Sequence, residues 1–286
     1  MLTEQHARTG QDGSGKMDFG FLVHLAGMGA ADLHPLGRRA TALLIESLDL
    51  QAGQNVLEVG CGTGATMVRL ERYNLARIDG LDLLPAMLRV ARRRLRLAGL
   101  GARSRLYLAK PGAPFPIPYG TYDRVYTESV LGMQDAEGAR ALLNEICRVV
   151  RPGGRYVANE AIWREGVPSE TIASINAGCL RDFGLRMASD APWSLPDWLQ
   201  VMQEAGFRVL SAELISEQIA GRQYPVANTE YRAILSAAVT RSYWLRGLLT
   251  PRARMARARY RRLNDRHRED GQYIEPRLFV LEKPLG

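Results

Sequence analysis

The chain has 286 residues, 46% of them hydrophobic and 24% charged, an ordinary globular composition with enough length for one large domain or two small ones. No apolar run reaches the roughly 18 residues that a bilayer crossing needs, and the first residues carry no apolar signal-peptide region, so the expected location is the cytoplasm. The formal charge of +8 is local: residues 241–268 hold ten arginines and one acid, Asp265, a net +9 that leaves about −1 for the rest.

Taken in chain order, residues 1–16 read as a disordered tail. Residues 17–50 carry two helical patterns, one around Phe19, Phe21, Leu22 and Leu25, the other through Leu43, Leu44 and Leu48, split by a Gly-rich break. They are expected to form a lid over a core at 51–162. That core opens with the strand QNVLEVGCG, followed by a helix at 65–74, the strand ARIDGLDL and a helix at 85–99. RSRLYLA, DRVYTES and GRYVANEAIW read as three more strands, the last two separated by a helix through ALLNEICRVV. An insertion at 163–195 interrupts the path to the helix WLQVMQEAGF. Two late strands within 196–216 and 275–283, FRVLSAELI and RLFVLEKP, bracket a basic helical insertion at 217–274. Strand and helix alternating at this period predict an α/β fold, a mostly parallel sheet with helices on both faces, in a single domain spanning 17–286.

The loop after the first strand, VLEVGCGTG, places Gly60, Gly62 and Gly64 where the backbone must turn sharply and meet a ligand. Gly60 to Ala65 also satisfies the dinucleotide pattern G-x-G-x-x-A, and Asp82 lies about 20 residues on, so an NAD(P)-dependent oxidoreductase competes. Glu58 weighs against it. A carboxylate inside the strand needs a partner. A cofactor with an ammonium group supplies one, whereas a pyrophosphate would be repelled.

VLEVGCGTG, GLDLLPAMLRVA, YDRVYTESVL and LNEICRVVRPGGRYV, in this order and spacing over residues 50–160, resemble the class I S-adenosylmethionine-dependent methyltransferases. The resemblance implies a Rossmann-like seven-stranded fold and S-adenosylmethionine as cofactor. By position, Gly60, Cys61, Gly62 and Gly64 would cradle its methionine part with Glu58 near the ammonium. Asp82 would accept both ribose hydroxyls, and Leu83 and Met87 would pack on the adenine. Ala109 departs from the family, which usually has an acid there to meet the adenine amino group. Cys61 reads as a small space-filler.

Methyl transfer requires an aligned acceptor and, often, a base. Glu128 and Glu160 follow the fourth and fifth strands and should emerge at the ligand edge of the sheet. The Glu128-Ser129 pair is similar to that of sterol, tocopherol and prenyl C-methyltransferases, with one residue fewer after Asp123. Glu160 and Glu128 are therefore candidate bases for carbon methylation; the bland readings are a helix cap for Glu160 and an indirect cofactor contact for Glu128. His34 is a third candidate, reaching in from the lid. Insertions such as 163–195 form a substrate cap in this family, so Trp163, Phe183 and Trp193 are candidate wall residues.

These features predict a methyltransferase of a small, largely apolar molecule in specialised or isoprenoid-like metabolism, with carbon the favoured acceptor. The alternative is O- or N-methylation by positioning. The arginine segment reads as a solvated basic helix face; a dimer contact, a guide for an acidic substrate and a nucleic-acid surface are the competing readings. It lacks interleaved aromatics, which argues against nucleic acid. The three cysteines, Cys61, Cys147 and Cys179, show no metal spacing, and no metal is expected.

Overall fold

The structure, a computed structural model, describes residues 17–31, 34–222 and 231–285, with backbone alone for 231–233. The expected tail at 1–16 lies outside the described residues. Seven strands form one sheet: β1 (Asn55–Val59), β2 (Arg77–Asp82), β3 (Leu106–Leu108), β4 (Tyr122–Glu128), β5 (Val150–Trp163), β6 (Arg208–Leu214) and β7 (Ile274–Glu282). Their spatial order is β3-β2-β1-β4-β5-β7-β6, parallel except for β7, which runs antiparallel between β5 and β6. This is the mostly parallel, seven-stranded α/β fold expected from the alternation.

Each sheet face is closed by helices whose apolar spacing matches the turn. In α5 (Ala136–Val149), Ala139, Leu143 and Ile146 are fully buried at i, i+4 and i+7. Asp135 starts that helix, its Oδ1 accepting from the Gly138 amide at 2.7 Å. With α7 (Leu195–Glu204), opened by a Ser194–Asp197 capping box, α5 covers one face. The other face is covered by α2 (Gly37–Ser47), α3 (Ala65–Arg69), α4 (Pro85–Leu97) and α8 (Ile215–Ile219). The expected helix at 65–74 is shorter. It tightens into a 3₁₀ turn at Leu70–Tyr73 and ends at Asn74, whose φ of 52° no α-helix continues.

Three further helices cover the carboxyl edge of the sheet. These are α1 (Gly20–Gly27), α6 (Ser169–Phe183), and α10 (Pro251–Arg266), the last following α9 (Tyr231–Leu249). Between them, Phe21, Phe183 and Tyr260 form an aromatic cluster, with ring centroids 4.7 Å apart for Phe21 and Tyr260 and 5.1 Å for Phe21 and Phe183. No helix among the described residues is long and apolar enough to cross a membrane.

Candidate active site

The glycine loop folds as its sequence requires. Gly60, Gly62 and Gly64 all have positive φ, between 49° and 75°, which side chains rarely adopt. Gly60 and Cys61 donate their amides to the Leu81 carbonyl at 2.7 and 3.0 Å, tying the loop to the end of β2. The three glycines differ in what surrounds them. A side chain at Gly60 would strike Val130 and one at Gly64 would press on Ala91 of α4, whereas Gly62 faces open space. The outer two allow close packing, and the middle one leaves room for a ligand. Cys61 is buried against Gly80 and its thiol is pushed well up by burial and then by Asp82, as a space-filler should be.

Asp82 closes β2 beside this opening. Its Oδ2 accepts from the Gly62 amide and its Oδ1 from the Leu84 amide, each at 2.8 Å. An ionised carboxylate has about four acceptor positions, so the two amides leave capacity for ligand hydroxyls. Met87 is buried and Leu83 half-buried next to it. The Ala109 amide donates to the Asp82 carbonyl at 2.9 Å; an adenine amino group is a donor, so what replaces the missing acid there must be an acceptor, a carbonyl or another side-chain oxygen. Glu58 is buried, with Tyr126 Oη donating to it at 2.9 Å. Desolvation, then the charge of Glu128, raises its pKa well above the ordinary carboxylate value. A cation bound above the loop would reverse that shift. The residues thus fit S-adenosylmethionine: an open glycine, a diol acceptor and an acid that gains from a positive neighbour.

Glu128 sits where the segment before β1 meets the carboxyl edge of the sheet. Its Oε2 accepts from Thr41 Oγ1 at 2.8 Å and lies 2.9 Å from His34 Nε2, while its Oε1 accepts from Thr66 Oγ1 at 2.8 Å. Burial pushes Glu128 up, but these bonds outweigh it and hold the group below its ordinary range. The His34 Nδ1 side meets Asn159 Nδ2 at 3.2 Å. The two candidate bases His34 and Glu128 therefore bond to each other and to α2 and α3, as a latch.

Glu160 is 1% exposed. Its Oε1 accepts from Thr127 Oγ1 at 2.8 Å, and its Oε2 from the amides of Val130 at 2.9 Å and Gly132 at 3.1 Å. Desolvation raises its pKa despite those donors. Glu160 also lines a cavity of about 310 Å³ at the carboxyl edge of β4 and β5, with Phe21, Ser129, Phe183, Met187 and His267. The cofactor loop and this cavity share one wall. Val130 closes on Gly60, and its neighbours Ser129 and Gly132 face the cavity.

Of the candidate wall residues, Phe183 lines the cavity and the two tryptophans do not. Trp163 is the last residue of β5 and the centre of the cap's own core, its Nε1 donating to the Ser189 carbonyl at 2.6 Å. Trp193 packs edge-on against Trp198 at 5.0 Å, with the Arg140 guanidinium over its ring. Sequence reading named Ser129 only as part of the Glu128-Ser129 pair, without a role, and missed Asn264 and His267. Asn264 and His267 come from the arginine segment, which is not simply a solvated face: Tyr260, Leu263 and His267, three and four residues apart, turn one stripe of it onto the cap. Arg241, at its start, shares a second cavity of about 320 Å³ with Arg38, Arg69 and Arg94.

Ser129 has the strongest unmet demand in the cavity wall. It holds a φ of 56°, a left-handed conformation that costs a non-glycine residue about 1–2 kcal/mol, and its buried Oγ finds no partner among the described residues. Strain and an unused hydroxyl together single out Ser129 for test as a ligand contact. Ser129→Gly is expected to leave thermal stability unchanged or slightly raised, because the strain goes, while the acceptor KM rises several-fold. Unchanged steady-state kinetics would remove Ser129 from acceptor binding.

Comparison with known proteins agrees with this geometry. The family profile described as "Methyltransferase domain" matches residues 56–154. Methyltransferase GfsG of Streptomyces halstedii is 30% identical over 185 residues, a match spanning 64% of this chain and 63% of that protein. The 27-O-demethylrifamycin SV methyltransferase of Amycolatopsis mediterranei is 28% identical over 66% of each chain. Among solved structures, the [4+2]-cyclase SpnF superposes with a TM-score of 0.60 at 23% identity, covering 87% of this chain and 82% of that one. Geranyl diphosphate C-methyltransferase of Streptomyces coelicolor superposes at 0.55 and 19% identity, over 85% and 78%. These two show the fold alone. Residues 56–154 thus form a methyltransferase domain, and in its relatives and sheet order the chain is similar to the class I S-adenosylmethionine-dependent methyltransferases.

Proposed function

We propose that the protein transfers a methyl group from S-adenosylmethionine to a small, largely apolar molecule held in the cavity above β4 and β5. The observation that carries this reading is the shared wall: Val130 touches the cofactor loop while Ser129 and Gly132 face the acceptor cavity, so donor and acceptor meet across one short loop. The sulfonium already activates the methyl, and alignment supplies most of what remains. Phe21, Phe183 and Met187 give the acceptor its apolar contacts, and Ser129 Oγ its polar one. GfsG and the rifamycin enzyme, both methyltransferases by name, accord with this. An acceptor from specialised metabolism fits the same relatives.

For the proton, the geometry favours positioning over a carboxylate base, and so favours an oxygen or nitrogen acceptor. Glu160 spends its oxygens on Thr127, Val130 and Gly132, holding the β4 exit loop in place. Carbon methylation assisted by Glu160 is the second reading, supported by its place in the cavity wall and its raised pKa, which makes an ionised Glu160 a stronger base. Glu160→Gln does not separate the two, because its amide would face the donors that hold the loop. The pH profile of kcat does. A base must be ionised, so activity would fall with one-proton slope as pH drops through a value above 4.5. Positioning predicts no such limb across the neutral range. Calorimetry tests the cofactor: S-adenosylhomocysteine should bind and NAD(H) should not, and the reverse result would overturn the function.

A further inference from the structure

Where α6 meets the turn after α10, three ligating side chains come together that no cysteine or histidine spacing connects. Cys179 Sγ lies 3.7 Å from His267 Nδ1, and Asp270 Oδ2 lies 2.6 Å from the same nitrogen. One ligand atom from each residue falls within 4.8 Å of the others. The second ring nitrogen, Nε2, sits 3.0 Å from Asp182 Oδ2, and Asp182 is itself paired with Arg266 at 3.0 Å and Arg181 at 3.3 Å. Cys179 and His267 both line the cavity.

We propose that Cys179, His267 and Asp270 bind a divalent transition-metal ion of the zinc class, with its fourth coordination position open to the acceptor cavity.

The spacing supports it. Around a tetrahedral zinc with bonds of about 2.0–2.3 Å, ligand atoms stand roughly 3.3–3.8 Å apart. The sulfur–nitrogen distance of 3.7 Å already satisfies this, and Asp270 must withdraw by less than about 1 Å. The hydrogen bond on the far nitrogen supports it too. Histidine ligands usually give their other N–H to a carboxylate, which fixes the ring and raises its basicity; Asp182, steadied by two arginines, is placed to do this. A thiolate and an imidazole select zinc, cobalt or iron over magnesium and calcium, which prefer all-oxygen sites. Three protein ligands and one open position are the arrangement in which an ion holds a substrate oxygen. That role rests on the acceptor-cavity reading, whereas ion binding does not.

The test is metal binding by the full chain, stripped with chelator and titrated with Zn²⁺ against a chromophoric competitor, then with Co²⁺ by absorption. One equivalent of zinc should bind, and Co²⁺ should show a thiolate-to-metal charge-transfer band. Cys179→Ser and His267→Gln should each weaken zinc by at least about 100-fold, and Asp182→Asn by about 10–100-fold. Zinc bound below stoichiometry, or held equally by Cys179→Ser, overturns the proposal and leaves His267 as an imidazole clamped between two carboxylates. If a variant fails to fold, the wild-type Co²⁺ spectrum decides alone: no thiolate band means no Cys179 ligand. A chain that binds zinc but transfers no methyl would keep the site and remove the proposed function.

Discussion

Truncating Glu128 to alanine is expected to lower the free energy of unfolding by about 3 kcal/mol and to weaken S-adenosylhomocysteine binding in the same protein. Glu128 takes bonds from three segments at once: His34 of the lid, Thr41 of α2 and Thr66 of α3. Removing it leaves a buried imidazole and two hydroxyls without their common acceptor. The hydroxyls can turn to other partners, so the loss stays below the full cost of an orphaned ion pair. Glu128→Gln keeps the shape and should lose only about 1–2 kcal/mol. The pH dependence has a definite sign. Because the folded-state pKa of Glu128 is lowered from about 4.5, its contribution is present above that value and fades as pH falls through the lower folded one. The gap between wild type and Glu128→Ala, followed by urea denaturation, should therefore narrow in acid. A gap that stays constant down to the acid transition would show that the charge of Glu128 is not what holds the latch.

The second large effect concerns Asp82. Replacing it with alanine should weaken S-adenosylhomocysteine by about 10²–10⁴-fold, since a charged acceptor of two ribose hydroxyls is worth roughly 1.5–3 kcal/mol per bond. Part of the loss is indirect, because Asp82 also holds the Gly62 amide and so the open side of the glycine loop. Adenine analogues lacking the ribose diol separate the two parts. They should bind wild type and variant more nearly alike if the direct bonds dominate. An unchanged affinity for S-adenosylhomocysteine would place the ribose elsewhere and undo the assignment of the cradle.

What the sequence carried and what it hid follow from chain distance. Gly60, Gly62, Gly64 and Asp82 act through backbone turns and strand ends, properties set within a few residues, so the cofactor loop and the sheet could be read directly. The cavity above β4 and β5 draws on Phe21, Ser129, Phe183 and His267, from four distant segments. No local pattern reports that kind of meeting. Trp163 and Trp193 were plausible by size, yet each already has an indole partner or a core to fill. Cys179 and His267 stand 88 positions apart, beyond any spacing rule. The one available signal was Tyr260, Leu263 and His267 at helical intervals among arginines, an apolar stripe that net charge obscured.

The place of β7 has a consequence for the order in which the molecule can be completed. It follows β6 in the chain, yet it lies between β5 and β6, and the helix carrying Tyr260 and Asn264 comes just before it. During synthesis the cofactor loop and β1, β2 and β4 emerge early and can pair at once. β6 must wait with its inner edge unsatisfied until some sixty residues later, when β7 slots in and seats the cavity's roof. The donor half of the site is thus ready while the chain is still growing, and the acceptor half closes only with the final strand. Ribosome-stalled chains ending before residue 274 should already protect the glycine loop and still leave Phe183 and Cys179 open to solvent.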